Sequence, residues 1–273
     1  MSIGNTAKRV LVSLVAIPAI VLVCYFGNIY FLIFVLGIGL ISYYEFVKMV
    51  ENKGIDAQLI MGLLLVLSFI LNEYLHFAGF YFLIIAAILL LTFVELFRNK
   101  GSAVNNLGAT FLGVLYIGIF SSAIVGIREF FPAQNYMNGG YLIITILAAI
   151  WVCDSAAFFG GTALGKHKLF PRVSPNKSWE GALFGLSFSI ITMVISKVII
   201  IDFLNWKDVI IIGLIVGIIG QTGDLIESMF KRDTGVKDSS DLIPGHGGIF
   251  DRFDSLLYSS PAVFLYLNYI YRF

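Results

Sequence analysis

An all-α, polytopic integral membrane protein with about nine transmembrane helices is the fold class this sequence predicts, and three observations predict it. The 273 residues are 59% hydrophobic and 13% charged, with a mean hydropathy of +0.91, which is too apolar for a water-soluble monomer. Apolar stretches of bilayer-spanning length recur near 9–27, 28–47, 57–72, 77–97, 107–128, 139–163, 179–202, 208–230 and 253–272. None of them alternates strictly, so helices that satisfy their own backbone groups in lipid are expected rather than a barrel.

The first run comes after MSIGNTAKRV and lacks an Ala-x-Ala-like cleavage signal, so it reads as a retained first span. The third run is short, and the sixth and eighth carry acids, which softens their ends. Cys24 and Cys153 both lie in apolar runs and offer neither a disulfide framework nor metal-ligand spacing, so packing is their expected role. When the loops are assigned alternately to two sides, one side receives only Arg128, Lys197, Lys207 and Arg272, and the other receives the remaining 14 of the 18 lysines and arginines. The positive-inside rule then places the N-terminus in the cytoplasm and, with nine spans, the C-terminus outside. The chain is expected to divide into an N-terminal transmembrane scaffold of about five helices, 1–138, and a transmembrane region, 139–273, that gathers the charged motifs described below. The second part holds two cytoplasmic basic loops, 164–178 and 231–252. A net charge of +1 excludes a strongly basic nucleic-acid binder.

Acids inside apolar runs are the next signal, because a charge in hydrocarbon is costly unless it faces a cavity, a partner or an ion. Asp154 interrupts ILAAIWVCDSAAFFGG. Asp224 and Glu227 share one helix face at i, i+3 spacing, with Gln221 one turn earlier, and Asp251 and Asp254 repeat that spacing where the ninth span begins. Three helices can therefore aim carboxylates at one pocket. Hard oxygen donors of this kind suit Mg²⁺, which binds through one or two carboxylates plus substrate phosphates. The histidines His76, His167 and His246 are scattered, which argues against zinc.

Two basic loops adjoin these acids. In GKHKLFPRVSPNKSWEG, Lys166, Lys168, Arg172 and Lys177 precede a helix start marked by Ser178 and Glu180, and Ser174–Pro175 is expected to interrupt regular structure. Gly160 to His167, GGTALGKH, imitates a P-loop but has His167 in place of the hydroxyl residue and follows a membrane span, so that reading is set aside. In the second loop, Pro244–Gly245–His246–Gly247–Gly248 has glycines that would let backbone N–H groups approach a phosphate.

Ser228 to Asp254, SMFKRDTGVKDSSDLIPGHGGIFDRFD, resembles the signature of the phosphatidate cytidylyltransferase (CDP-diacylglycerol synthase) family of bacterial type. Every fixed position of that pattern is met, by Ser228, Lys231, Arg232, Lys237, Asp238, Ser240, Pro244, His246, Gly247, Gly248, Asp251, Arg252 and Asp254. SPNKSWEG, from Ser174, also resembles the family, with Asn176 where many members carry lysine. The resemblance implies a nucleotidyltransferase that makes CDP-diacylglycerol and pyrophosphate from CTP and phosphatidate, with Mg²⁺ as cofactor. It is expected in a plasma membrane, with its site facing the cytoplasm.

On that reading, Asp224 and Asp251 are the expected metal ligands, with Asp154, Glu227 and Asp254 as weaker candidates for metal or substrate. Lys231, Arg232, Lys237 and Arg252 are expected to hold the triphosphate or the lipid phosphate, and His246 to donate to phosphate. Lys177, Ser174, Asp238, Gly247 and Gly248 complete the expected substrate site. A homo-oligomer is compatible with the sequence but not indicated by it. Two alternatives stay open: a CTP-dependent enzyme acting on another lipid phosphate or lipid alcohol, and a secondary transporter or ion channel.

Overall fold

The computed structural model describes residues 5–240, 242 and 247–271, with side chains from residue 14 onward. The expected phosphate donor His246 lies outside the described residues, as do the side chains of Lys8, Arg9 and Arg272, which entered the orientation argument. Each of the apolar stretches coincides with a helix. They are α1 (Asn5–Phe26), α2 (Asn28–Glu51), α3 (Leu59–Leu75), α4 (Phe80–Arg98), α5 (Ala103–Gly113), α6 (Phe120–Arg128), α7 (Tyr136–Leu164), α8 (Trp179–Ile199), α9 (Trp206–Ile215), α10 (Gln221–Asp233) and α11 (Ile249–Tyr269).

Among the described residues, six helical stretches are long and apolar enough to cross a bilayer: Asn28–Glu51, Phe80–Arg98, Ala103–Arg128, Ala133–Leu164, Trp179–Ile199 and Trp206–Asp233. Leu14–Phe26 and Leu59–Leu75 are shorter apolar helices. Helix α11 has the length but carries Asp251, Arg252 and Asp254 in its first two turns.

Two details depart from the sequence reading. The fifth and eighth runs are each interrupted by a π-helical segment, Val114–Ile119 and Val216–Gly220. Such a segment widens the turn and rotates the helix beyond it, and it recurs at functional sites. The second one leads directly into the acid-bearing α10, and Gln221 donates to the carbonyls of Gly217 (2.5 Å) and Ala182 (3.1 Å) there. The 164–178 loop is also more regular than expected. Ser174–Pro175 does not interrupt structure but opens β2 (Ser174–Ser178), which pairs antiparallel with β1 (Lys168–Phe170). An edge position tolerates proline because no ladder hydrogen bond is lost there.

The chain forms two interleaved compact units, which cross the cut at 138/139 taken above as a functional division. The first contains 1–18, 28–126 and 231–253. Its interior is built on Phe31, Val35, Tyr43, Phe46, Ile70, Ile117 and Phe250, all buried. A polar knot closes one end of it: Glu95 accepts from Gln58 (2.8 Å), Asn106 (2.9 Å) and Arg98 (2.9 Å), and Arg98 also pairs with Asp56. Both oxygens of Glu95 are engaged, which is the condition for tolerating such a charge away from water.

The second unit contains 19–27, 127–230 and 254–273. Helices α7 and α8 meet along a seam of small residues, where a Cβ on Gly181 would stand 2.7 Å from the Ala157 carbonyl oxygen. Small residues let two backbones approach closely, which is how helices associate without a hydrophobic drive in lipid. Arg128 is fully buried and donates to the carbonyls of Cys24 (2.9 Å), Tyr25 (3.2 Å) and Tyr136 (3.1 Å) while lying over the Tyr136 ring. Cys24 and Cys153 are buried and unbridged, as packing residues should be.

Candidate active site

The expected site residues gather into two constellations, one in each unit. In the second unit the β-hairpin places Lys177 on its return strand, one residue before Ser178. Ser178 caps α8 by accepting from Gly181 N at 3.2 Å, so the predicted helix start is met. Glu180, in the first turn, accepts from the backbone of Lys166 (3.1 Å) and His167 (3.2 Å) and meets His167 Nδ1 at 2.6 Å. These contacts tie the hairpin to the helix and set where Lys177 points.

Lys177 Nζ reaches Asp224 Oδ2 on α10 at 2.5 Å. The side chains are 29% and 35% exposed, so neither is sealed from water. Ser228 adds one long contact to Asp224 Oδ1, at 3.4 Å. Asp254, buried on α11, lies within the electrostatic fields of Asp224, Asp154 and Lys177. Asp154 on α7 is exposed, whereas Glu227 on α10 is buried. Thus Asp154, Asp224, Asp254 and Lys177, four of the residues singled out in the sequence, are brought into one neighbourhood. Ser174 opens the same hairpin strand and is half-buried.

In the first unit Lys231 Nζ meets Asp251 Oδ1 at 2.6 Å, with side chains only 12% and 4% exposed. The other oxygen of Asp251 accepts from Ser239 N, Ser239 Oγ and Gly248 N, each at 2.8 Å. The last of these is the back-reaching half of a capping box, in which an acid in the first turn satisfies the N–H just before the helix. Both oxygens of Asp251 are therefore engaged.

The expected role of the glycines changes with this geometry. Gly248 N–H is given to Asp251, and a Cβ on Gly248 would stand 2.0 Å from Ser239 Oγ and 2.5 Å from both oxygens of Glu45. Gly247 has φ +77°, a left-handed conformation that glycine adopts without a steric cost. Arg232, Lys237, Asp238 and Arg252 are exposed, and Arg232 Nη1 donates to Val236 O at 3.3 Å.

Sequence reasoning missed Glu45 and Ser239. Glu45 on α2 is 1% exposed and accepts from Ser239 Oγ (3.0 Å), Ser240 Oγ (2.5 Å), Ile249 N (3.1 Å) and Phe250 N (2.8 Å). Its signal was present: an acid in the apolar run ISYYEFVKMV meets the same test that singled out Asp154. Ser239 lies inside the signature but at none of its fixed positions.

Among the described residues, no group of three or more His, Cys, Asp or Glu side chains is close enough to hold a metal ion. Magnesium does not require one, since it keeps several waters and takes one or two carboxylates plus substrate phosphates. Asp224 fits such a site, as a partly exposed hard-oxygen donor close enough to Asp254 for the two carboxylates to interact.

Comparison with known proteins defines the class. The model of the cytidylyltransferase family matches residues 7–270, and the chain belongs to that family. A protein named phosphatidate cytidylyltransferase from Bacillus subtilis (strain 168) is 32% identical over 95% of this chain and 97% of its own length. One of the same name from Synechocystis sp. is 31% identical over 95% of this chain and 96% of its own length. A third, from Haemophilus influenzae, is 41% identical over 56% of this chain and 54% of its own length.

Proposed function

We propose that this protein is a CTP:phosphatidate cytidylyltransferase that makes CDP-diacylglycerol and pyrophosphate, with Mg²⁺, at the cytoplasmic face of a plasma membrane. The observation that carries the reading is the accessible Lys177–Asp224 pair beside Asp154 and Asp254, within a chain whose family match runs nearly end to end. The pair sets a cation beside hard-oxygen acids, the combination that a lipid phosphate and a nucleotide triphosphate with its metal call for. The fourteen-to-four asymmetry of lysine and arginine supports the cytoplasmic side.

The chemistry needs little from a general base. An oxygen of the phosphatidate phosphate, anionic near neutral pH, attacks the α-phosphorus of CTP; the new P–O bond forms as the bond to the β-phosphate breaks and pyrophosphate leaves. The barrier lies in bringing two polyanions together and in the charge gathered on the leaving group, so fixed cations and orientation supply the catalysis. Lys177 exchanges its contact with Asp224 for a phosphate oxygen, which frees Asp224 as the principal metal position. Asp154 and Asp254 complete the acidic field, and Glu227 is a weaker candidate. Bound Mg²⁺ would neutralise triphosphate charge there.

Lys231, Arg232, Lys237 and Arg252 hold phosphate in the first unit, with guanidinium groups suited to two-pronged contact. Asp251 fixes Lys231; as a metal ligand it would have to release that lysine. The region 139–273 carries the chemistry, and 1–138 serves mainly as its scaffold.

The test is purified protein in detergent with radiolabelled CTP and phosphatidate, with and without Mg²⁺. The reading expects label in the lipid phase only when all three are present. Label that moves only onto another lipid phosphate or a lipid alcohol would reassign the acceptor, and none in lipid would refute the activity.

A further inference from the structure

We infer that Glu45 is a positioning residue for the transfer, acting through Ser239 on the Asp251–Lys231 pair. This rests on the activity proposed above. Four donors converge on this one carboxylate: the hydroxyls of Ser239 and Ser240 and the first two N–H groups of α11. Helix-start N–H groups have no partner within their own helix, so a buried start needs an acceptor from elsewhere, and the positive end of the helix favours one that is charged. Glu45, from α2, supplies it across 204 residues of sequence.

The coupling to the site is atomic. Ser239 Oγ stands 3.0 Å from Glu45 Oε2 and 2.8 Å from Asp251 Oδ2, so its single hydroxyl hydrogen is shared between two carboxylates. Asp251 holds Lys231 with its other oxygen. Gly248 closes over this group so tightly that a Cβ there would collide with both Glu45 and Ser239. A displacement of Glu45 is therefore passed to Asp251 by a hydroxyl with no slack, and from Asp251 to the Lys231 ammonium. Glu45 itself is buried and touches no substrate; its effect is on where the cation stands.

The substitution Glu45→Gln tests this, because an amide has one acceptor oxygen where four donors converge. Serine hydroxyls can turn to accept from the amide NH₂, but a backbone N–H cannot, so either Ile249 or Phe250 loses its partner. We expect kcat to fall about tenfold to hundredfold, the scale of a small misplacement, with KM for CTP and for phosphatidate within about threefold of wild type. Glu45→Asp, which keeps the charge and both oxygens one methylene short, should recover part of kcat and serves if the amide variant does not fold. Ser239→Ala supplies the coupling test. The double variant Glu45→Gln/Ser239→Ala should be no slower than about threefold below the worse single variant, because both act along one path.

Losses that multiply, or kcat in both folded Glu45 variants within twofold of wild type, would overturn the inference. Amide exchange at Ile249 and Phe250 reads the clamp without turnover: faster exchange in Glu45→Gln is expected, and unchanged exchange contradicts it. A wild-type protein that labels no lipid would instead refute the proposed activity, an outcome separate from these.

Discussion

The Lys–Asp pairs of the two units are built from the same two residue types and behave as opposites. Lys231–Asp251 has side chains 12% and 4% exposed, and its carboxylate is braced by Ser239 and Gly248. Lys177–Asp224 is 29% and 35% exposed, and among the described residues only a 3.4 Å contact from Ser228 further supports its acid. A closed pair that loses one partner leaves a charge with no water to turn to, whereas an open pair can trade its partner for a ligand at small cost. The first pair therefore holds the Lys231 ammonium in a fixed position, and the second is poised to exchange.

Asp251→Asn probes the closed pair and carries the largest expected effect. It should cost about 3 kcal/mol of stability, the scale for breaking a buried pair, and lower turnover by on the order of 10²–10³-fold. Thermal melts in detergent beside the lipid-labelling assay check both. Stability unchanged from wild type would mean that this pair is as open as the other.

Asp224→Asn separates the two quantities. Turnover should fall on the order of 10²-fold while stability changes by no more than about 1 kcal/mol, and the Mg²⁺ concentration for half-maximal rate should rise. Near-normal turnover at saturating Mg²⁺ would remove Asp224 as the metal position. Gly248→Ala sharpens the contrast from the backbone side: its Cβ would press on Ser239 and Glu45, costing about 1–3 kcal/mol as overpacking does. An alanine variant that melts with wild type would show that the loop has room to yield. Smallest of the four, Lys177→Arg keeps the charge at the open pair and should raise KM for CTP only about threefold, whereas Lys177→Gln should raise it about tenfold. Equal KM values for both would show that charge at this position does not matter.

The helices were legible because apolar run length is a property of sequence alone, and each stretch became one. The π segments at Val114–Ile119 and Val216–Gly220 were not, since a widened turn leaves the apolar count of its run unchanged. Ser178 was readable as a cap from its position before Glu180, but the β-hairpin in front of it arises from pairing between Lys168–Phe170 and Ser174–Ser178, which no local pattern announces.

The acids Asp154, Asp224 and Asp254 were picked out by the cost of charge in an apolar run, and the structure brings them near one another. Glu45 passes the same test and was overlooked because its partners lie 194 to 205 residues away. The engagement of Asp251 was also hidden. Spacing places a carboxylate on a helix face, but which donors reach it depends on where Lys231, Ser239 and Gly248 stand.

The central claim is that the open Lys177–Asp224 pair receives CTP, Mg²⁺ and the phosphate of phosphatidate. The most direct measurement is incorporation of radiolabelled CTP into lipid by purified wild type and Asp224→Asn, each titrated with Mg²⁺. The account predicts label in lipid with matching release of pyrophosphate, dependent on Mg²⁺ and lost on the order of 10²-fold in the variant. Equal labelling by the two proteins, or label that never leaves the aqueous phase, would contradict it.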